Sequence, residues 1–313
     1  MAAYLASSRG ITCNAQQVLI TDGYQGALDL AAHLLLRRND RTWIEDPCYL
    51  PVREILSAAG SVTVPIRVDG EGLRVADGLR QARRARLAVV TPSHQSPLGV
   101  ALSLPRRLAL LAWASAVGAF IIEDDYDSEF RYVGRPLPAL KSLDQAERVL
   151  YAGSFSKVLF PALRLGYLVL PDALIPGFRT ASRRRQAGHS VLEQRVVAKF
   201  MAEGHFARHL KRMRTLYAAR REALANALHA VFRDRVEVDL QPGGMHLIVR
   251  FVDCDRDIRL AKRAQAKGLA AEPLSTRAVV HACPQGLLLG FANIPEAEVL
   301  RACRRLERAI GPD

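Results

Sequence analysis

The chain has 313 residues and is 50% hydrophobic, enough for a substantial core in one or two domains. It holds no apolar run of about 18 residues, so no membrane span is expected, and Met1 to Arg9 lacks the basic segment and apolar core of a signal peptide. Its 44 Lys and Arg against 31 Asp and Glu give a formal net charge of +13, a balance that attracts nucleic acid or anionic ligands without reading them. In chain order, Val18–Thr21 reads as a short strand. The turn Asp22-Gly23-Tyr24-Gln25 then feeds an apolar helical pattern that runs to Leu36. Free N–H groups and the positive end of a helix make such a turn a ready phosphate site, or an ordinary strand-to-helix connection. Arg41–Ile44 is the next strand and leads to Tyr49, an aromatic that can stack on a flat heterocycle or simply pack. A helix over Val52–Ala59, stopped by Gly60, a strand over Ser61–Ile66 and a turn at Asp69–Gly72 follow.

Leu87–Thr91 is a buried strand that opens into Pro92–Gly99. Leu104–Val117 reads as a helix entered through Pro105. The strand Ala119–Ile122 runs straight into Glu123-Asp124-Asp125-Tyr126-Asp127. Val149–Ala152 ends in Gly153-Ser154-Phe155-Ser156-Lys157, and Ala162–Leu170, containing Arg164, starts another strand. Strands alternating with helices imply right-handed crossovers and an α/β fold with a mainly parallel sheet sandwiched by helices, whose ligands bind beyond the carboxyl ends of the strands. From Ser190 to Ala230 nearly every residue suits a helix, with a break at Gly204. Its basic residues, Arg208, His209, Lys211, Arg212, Arg214, Arg220 and Arg221, read first as a solvated or dimer-facing surface and second as a nucleic-acid contact. Val236–Leu240, Gly243–Phe251, a helix over Arg256–Lys267, Leu287–Phe291 and a helix over Glu296–Ile310 make a smaller α+β domain. The expected division is residues 1–217 and 218–313. Cys13, Cys48, Cys254, Cys283 and Cys303 are odd in number and widely spaced, which argues against a disulfide framework or a zinc site and fits a reducing cytoplasm. The histidines form no metal-binding pattern.

Lys157 stands just past a strand end, beside Ser154, Ser156 and Arg164, which can bind a phosphate. An amine held next to a phosphate clamp suits a Schiff base with pyridoxal phosphate (PLP); the alternative is a surface lysine in a serine-rich turn. Asp124 and Tyr126 supply what that cofactor also needs, a carboxylate for its pyridine nitrogen and a phenol near its O3′. Side-chain alternation puts Asp124 and Tyr126 on one face and Asp125 on the other.

The stretches Glu123–Tyr132, Thr91–Gly99, Ser154–Lys157 with Arg164, and Gly204–Arg214 resemble the aminotransferase-like domain of MocR-type regulators of the GntR superfamily. These join a winged helix-turn-helix to a class I/II aminotransferase domain of PLP fold type I. The resemblance covers nearly the whole chain. It implies that Lys157 carries the cofactor, Asp124 and Tyr126 meet its ring, and Tyr49 stacks on it. Gly23, Tyr24 and Gln25, with Ser154, Ser156 and Arg164, hold its phosphate. Ser96 stands where the wider family has an asparagine, and the last-domain strand Leu287–Phe291 lacks the family's carboxylate-binding arginine. Arg277 is the candidate to replace it. The resemblance also places Tyr4–Ile11 inside the aminotransferase domain. The winged helix, its linker and the first part of the fold are therefore expected to be missing, and DNA is expected to be met only through that winged helix. A cytoplasmic homodimer that senses an amino acid or other amino compound is one implied function; a working aminotransferase is the other.

Overall fold

A computed structural model describes residues 1–134, 137–185, 191–252 and 256–310; Ser190 and Cys254 lie outside them. In chain order the larger part comprises α1 (Ala2–Arg9), β1 (Val18–Thr21), α2 (Gly23–Leu35), β2 (Arg41–Asp46), α3 (Leu50–Ala58), β3 (Val62–Asp69), β4 (Gly72–Leu73), α4 (Val75–Ala82), β5 (Leu87–Val90), α5 (Leu104–Val117), β6 (Phe120–Asp125), β7 (Val149–Ser154), β8 (Gly166–Val169), α6 (Ile175–Arg185) and α7 (Val191–Ala202). The long helix α8 (His205–Phe232) leads into β9 (Val236–Asp239), β10 (His246–Phe251), α9 (Asp257–Ala266), β11 (Ala271–Pro273), β12 (Leu287–Gly290) and α10 (Glu296–Ile310). The first eight strands form one sheet in the order β1-β8-β7-β6-β5-β2-β3-β4. Its centre, from β7 through β6, β5 and β2 to β3, is parallel. β8 runs antiparallel to β1 and β7, and β4 antiparallel to β3. The second sheet, β11-β12-β10-β9, is wholly antiparallel. No helix among the described residues is long and apolar enough to cross a membrane.

Alternation along the central strands builds a core on each face of the large sheet. Ile44, Leu87, Val89, Ile122 and Leu150 pack with α2 and α3 through Leu28 and Leu56. Trp43, Ala88, Val90, Ile121 and Val149 face the other way, toward Trp113 of α5. Trp43 and Trp113 stack with centroids 3.8 Å apart. Both indole N–H groups are satisfied by backbone carbonyls of residues 82 and 83. The small sheet is covered by α9, α10 and the second half of α8. α8 serves two cores: Phe206 and Leu210 pack with the large sheet, and Leu224, Leu228 and Phe232 with the small one.

Some expectations are corrected. The strand expected from Ala162 begins at Gly166, because Pro161–Leu163 is a 3-10 turn and Arg164 adopts a left-handed conformation (φ 46°) that breaks the extension. The helices α1, α4 and α6 and the short strand β11 were not expected. Part of the supposed surface of α8 is internal. Arg221 is buried and donates to the carbonyl of Gln241, and Arg220 donates to that of Ala292, so these two guanidinium groups tie α8 to the backbone around it. Arg208, Lys211 and Arg212 are exposed as expected.

Helix α1 is pinned to the sheet by charge. Arg9 lies 2.8 Å from Asp125 and 3.2 Å from Glu129, all three buried. The Tyr151 hydroxyl donates to Asp125, and the Tyr4 hydroxyl to Glu129. Removing one partner from a buried ion pair leaves an uncompensated charge, at a cost of roughly 3–5 kcal/mol. Arg9→Ala is therefore expected to lower the urea midpoint by an amount corresponding to that range at unchanged slope. An unshifted midpoint would show that α1 docks without this network.

Candidate functional site

The turns after β1, β2, β5, β6 and β7 all lie at one end of the large sheet, where a cavity of about 680 Å³ opens toward β10, β12 and the segment following β11. That volume is in the range of small-molecule sites. The cavity is walled by every residue the sequence singled out for a site: Gly23, Tyr24, Gln25, Tyr49, Asp124, Tyr126, Ser154, Ser156, Lys157, Arg164 and Arg277. Ser96 joins them.

The phosphate-suited end is assembled by close backbone approach. In the sheet Gly166 pairs with Thr21 on one side and Ser154 on the other. A Cβ on Gly166 would lie 2.7 Å from the Gly23 carbonyl carbon. Only a glycine lets β8 come this near the turn before α2, and Gly23 itself needs its positive φ of 67°. The result sets the N-terminus of α2 beside Ser154, Ser156 and Arg164, a donor set suited to a phosphate dianion. Arg164 and Lys157 are exposed at the cavity.

Asp124 sits on the other wall. It shares the face of Ile122 and is buried against Tyr24. Burial first, then the charge of Asp125, holds its carboxyl well above the usual range, and the neighbouring Tyr24 phenol opposes that shift. Asp125 points to the opposite face, into the Arg9 network. Tyr126 follows Asp124 on the cavity side, half-buried. Burial and the charges of Asp127 and Asp124 raise its phenol, while a hydrogen bond from Ser96 works the other way. Gln25 donates to the Tyr49 hydroxyl at 3.0 Å, and the Tyr24 and Tyr49 rings lie 6.3 Å apart.

The small-domain wall is fixed by a residue the sequence did not single out. Asp46, at the end of β2, accepts hydrogen bonds from the backbone N–H groups of Val279, Val280 and His281 at 2.6–2.9 Å. The Cys48 N–H donates to the Arg277 carbonyl at 3.1 Å. Arg277 is thereby held at the cavity edge, where its guanidinium is paired with Glu272. His246, whose Nε2 lies 2.9 Å from the Pro97 carbonyl, and Asn293 also reach the cavity. Asp46 stands in an acidic strand end, Glu45-Asp46-Pro47, which was the one available signal. Glu272, His246 and Asn293 have no local pattern to mark them. Cys13, Cys48, Cys283 and Cys303 are free thiols.

Residues 1–306 match the family Aminotransferase class I and II. The chain is 41% identical over 311 residues to the probable rhizopine catabolism regulatory protein MocR of Rhizobium meliloti, covering 99% of this chain and 62% of that protein. It therefore spans less than two thirds of that relative's length. Among solved structures, it is similar to a kynurenine aminotransferase of Pyrococcus horikoshii in complex with PMP and with KYN and KYA as substrates and products (TM-score 0.87, 28% identity, 98% of this chain and 78% of that one). It is also similar to LysN, an alpha-aminoadipate aminotransferase of Thermus thermophilus complexed with N-(5'-phosphopyridoxyl)-L-leucine (TM-score 0.86, 28% identity, 98% and 80%).

Behind the cavity, buried Glu45 accepts hydrogen bonds from the Thr91 N–H, the Thr91 hydroxyl and Gln95. Burial still pushes its carboxyl up to about 7. In the unfolded chain a glutamate releases its proton near 4.3. Between those values the native state holds more protons than the unfolded one, so this contribution is full below the lower value and is lost as pH rises through the higher. At 1.36 kcal/mol per unit the loss is roughly 4 kcal/mol. Urea unfolding is expected to show stability falling between about pH 5 and 7, and Glu45→Gln is expected to flatten that fall. An equally steep fall in the variant would assign it to other groups.

Proposed function

This chain belongs to the class I and II aminotransferase family, and on that premise we propose that it is the PLP-binding, effector-sensing part of a MocR-type transcriptional regulator. The observation that carries this reading is the convergence of all eleven sequence-marked residues on one cavity, together with the similarity to the MocR protein. DNA contact, in this reading, belongs to a winged helix-turn-helix outside these residues, and the effector is an amino acid or another amino compound.

The residues fit the cofactor. Asp124 is a buried carboxyl that forms no ion pair among the described residues, so a ring N–H⁺ would complete it. When bound, PLP supplies an aldehyde that condenses with amines and a ring that withdraws electrons. Lys157 brings the amine that would carry it. The N-terminus of α2, Ser154, Ser156 and Arg164 would bind the phosphate and orient the group. Tyr49 would cover the ring. Tyr126 would hold a proton at the ring's O3′, and Asp124 would keep one on its nitrogen. Arg277 would meet an anionic group on the effector, with Glu272 competing for it. The second reading, a working aminotransferase, is supported by the aminotransferase structures to which the fold is similar. It uses the same residues, with Lys157 also moving protons on the substrate.

Lys157→Ala is expected to abolish both the visible absorbance of the PLP-loaded protein and any borohydride-trapped adduct between PLP and the chain. If the trapped adduct survives in that variant, the assignment of Lys157 is wrong. Steady transfer of amino groups to a keto acid by the wild type, at rates of about 1 s⁻¹ or more, would favour the second reading.

Asp124→Ala is expected to weaken PLP retention at least tenfold, or about 1.4 kcal/mol. Asp125→Ala should mainly lower stability, because Asp125 serves Arg9 rather than the cavity. Equal losses of PLP in the two variants, measured on folded protein by equilibrium dialysis, would undo the assignment of faces.

A further inference from the structure

His94 follows β5 in the turn that leads to Ser96, and it is buried. Its Nδ1 lies 2.9 Å from the Tyr126 hydroxyl and 3.0 Å from Oδ2 of Asp127. Asp127 is 1% exposed, and that oxygen has no hydrogen-bond partner, so the imidazole is its near neighbour without a formed bond. The rest of the ring is gripped by two backbones. A Cβ on Gly244 would sit 2.4 Å from Cε1 of His94, and one on Gly99 would sit 3.0 Å from Nε2. Both glycines have positive φ, 93° and 74°. Gly244, in the β9–β10 loop, is itself fixed: its N–H donates to the Phe130 carbonyl at 3.0 Å, and its carbonyl accepts from the Tyr132 hydroxyl at 2.7 Å. The imidazole therefore has little freedom to turn, and its nitrogen is aimed at one phenol.

A half-buried phenol at a cavity edge needs such a partner to stay in one place. One ring nitrogen cannot donate and accept at once. A carboxylate beside Nδ1 favours the proton there, which makes Nδ1–H the donor to the Tyr126 oxygen, with Asp127 acting on the imidazole through its charge. We infer that His94, oriented by Asp127 and by the glycines at 99 and 244, is the positioning residue that aims the Tyr126 hydroxyl into the cavity. Since Gly244 comes from the small sheet's own loop, the aim of Tyr126 also depends on where that loop sits. The meaning of an aimed phenol rests on the proposed PLP site; the positioning itself rests on this chain's side chains alone. The titratable groups facing the pair are Asp127, Asp124 and His246, whose ring lies 6.1 Å from that of His94.

The test has two arms. The first is the crystal structures of cofactor-free wild type, His94→Phe and His94→Asn. In His94→Phe, which keeps an aromatic ring and removes the nitrogen, the Tyr126 hydroxyl is expected to move by roughly 1 Å or more, a displacement that matters at reacting centres. His94→Asn, with an amide where Nδ1 stood, is expected to hold it. The second arm is the pH midpoint of the visible absorbance in PLP-loaded proteins. It is expected to shift in His94→Phe by about one unit (1.36 kcal/mol), in the direction of Tyr126→Phe. It should be largely restored in His94→Asn and unchanged by adding His94→Phe to Tyr126→Phe. Asp127→Asn, which leaves the imidazole in place, is expected to give a smaller shift of the same sign. An unmoved hydroxyl in the cofactor-free His94→Phe structure overturns the inference whatever the spectra do. So does a wild-type midpoint in that variant. A wild type that never takes PLP at Lys157 overturns the proposed function instead, and the cofactor-free structures still decide the role of His94.

Discussion

Successive side chains at the carboxyl end of β6 must face opposite sides of the sheet, and the molecule is arranged around what that alternation does to two adjacent aspartates. Both are buried, and a buried carboxylate is costly unless a cation or strong donors meet it. Asp125 is met from within the chain, by Arg9, by the hydroxyl of Tyr151 and by that of Ser128. Asp124 has Tyr24 and no cation of the chain among the described residues. One face of the strand is thus electrostatically complete and the other is not. A buried carboxyl that faces a cavity without a cation partner is where a ligand's charge counts most, and this asymmetry, rather than any single motif, gives the PLP reading its physical basis.

The opposite end of the cavity is governed by backbone rather than charge. β8 runs against the parallel grain of the sheet, between β1 and β7. Gly166, pairing with Thr21 and Ser154 at once, draws the turn before α2 and the turn after β7 together. A side chain at residue 166 would meet the Gly23 backbone before any other group. Charged and hydroxyl side chains make the cup suited to a phosphate, but two glycines decide that the cup exists. The chain can place a cation at Arg164 beside a helix N-terminus because the left-handed turn at that residue ends one segment and aims the next.

Much of this was legible in the sequence because it is local. Strand runs ending in Asp22-Gly23, in Asp124–Asp127 and in Ser154–Lys157 place their residues by period and by the rule that α/β ligands sit at carboxyl strand ends. The face assignment of Asp124 against Asp125 needed only alternation. What escaped was non-local. Asp46 looks like one more acid at a strand end, and its work, gathering three N–H groups from residues 279–281, joins segments more than 230 positions apart. Arg220 and Arg221 read as surface on a helical wheel, yet they turn inward because carbonyls of the small domain need donors there. The start of β8 was misplaced because an apolar run continues through Arg164, and hydropathy does not register a left-handed residue. His94 lies within a stretch that carried the family resemblance, but its partner Gly244 is 150 residues away.

The Arg9 network and the Arg277–Glu272 pair differ in kind, and the difference orders what is fixed and what can yield. Arg9 and its carboxylates are shielded from solvent, so their attraction is little screened and separation would strand charge. Arg277 and Glu272 are not shielded: the Glu272 side chain is 57% exposed. A pair in that setting is worth about 0–1 kcal/mol and is readily exchanged. Yet the backbone that carries Arg277 is held hard, by Asp46 and by the Cys48 N–H. The arginine is therefore anchored at its root and lightly engaged at its tip. A ligand carboxylate would have to displace only a solvent-exposed glutamate, with little cost from reorganising the loop. A ligand without an anionic group would leave the pair as it is. Discrimination at this wall then comes from the small balance between Glu272 and the ligand for one guanidinium, whereas Asp124 is buried in place and without an ion-pair partner among the described residues. The cavity thus has one rigid end and one adjustable end, a division suited to holding one constant group while admitting variable ones.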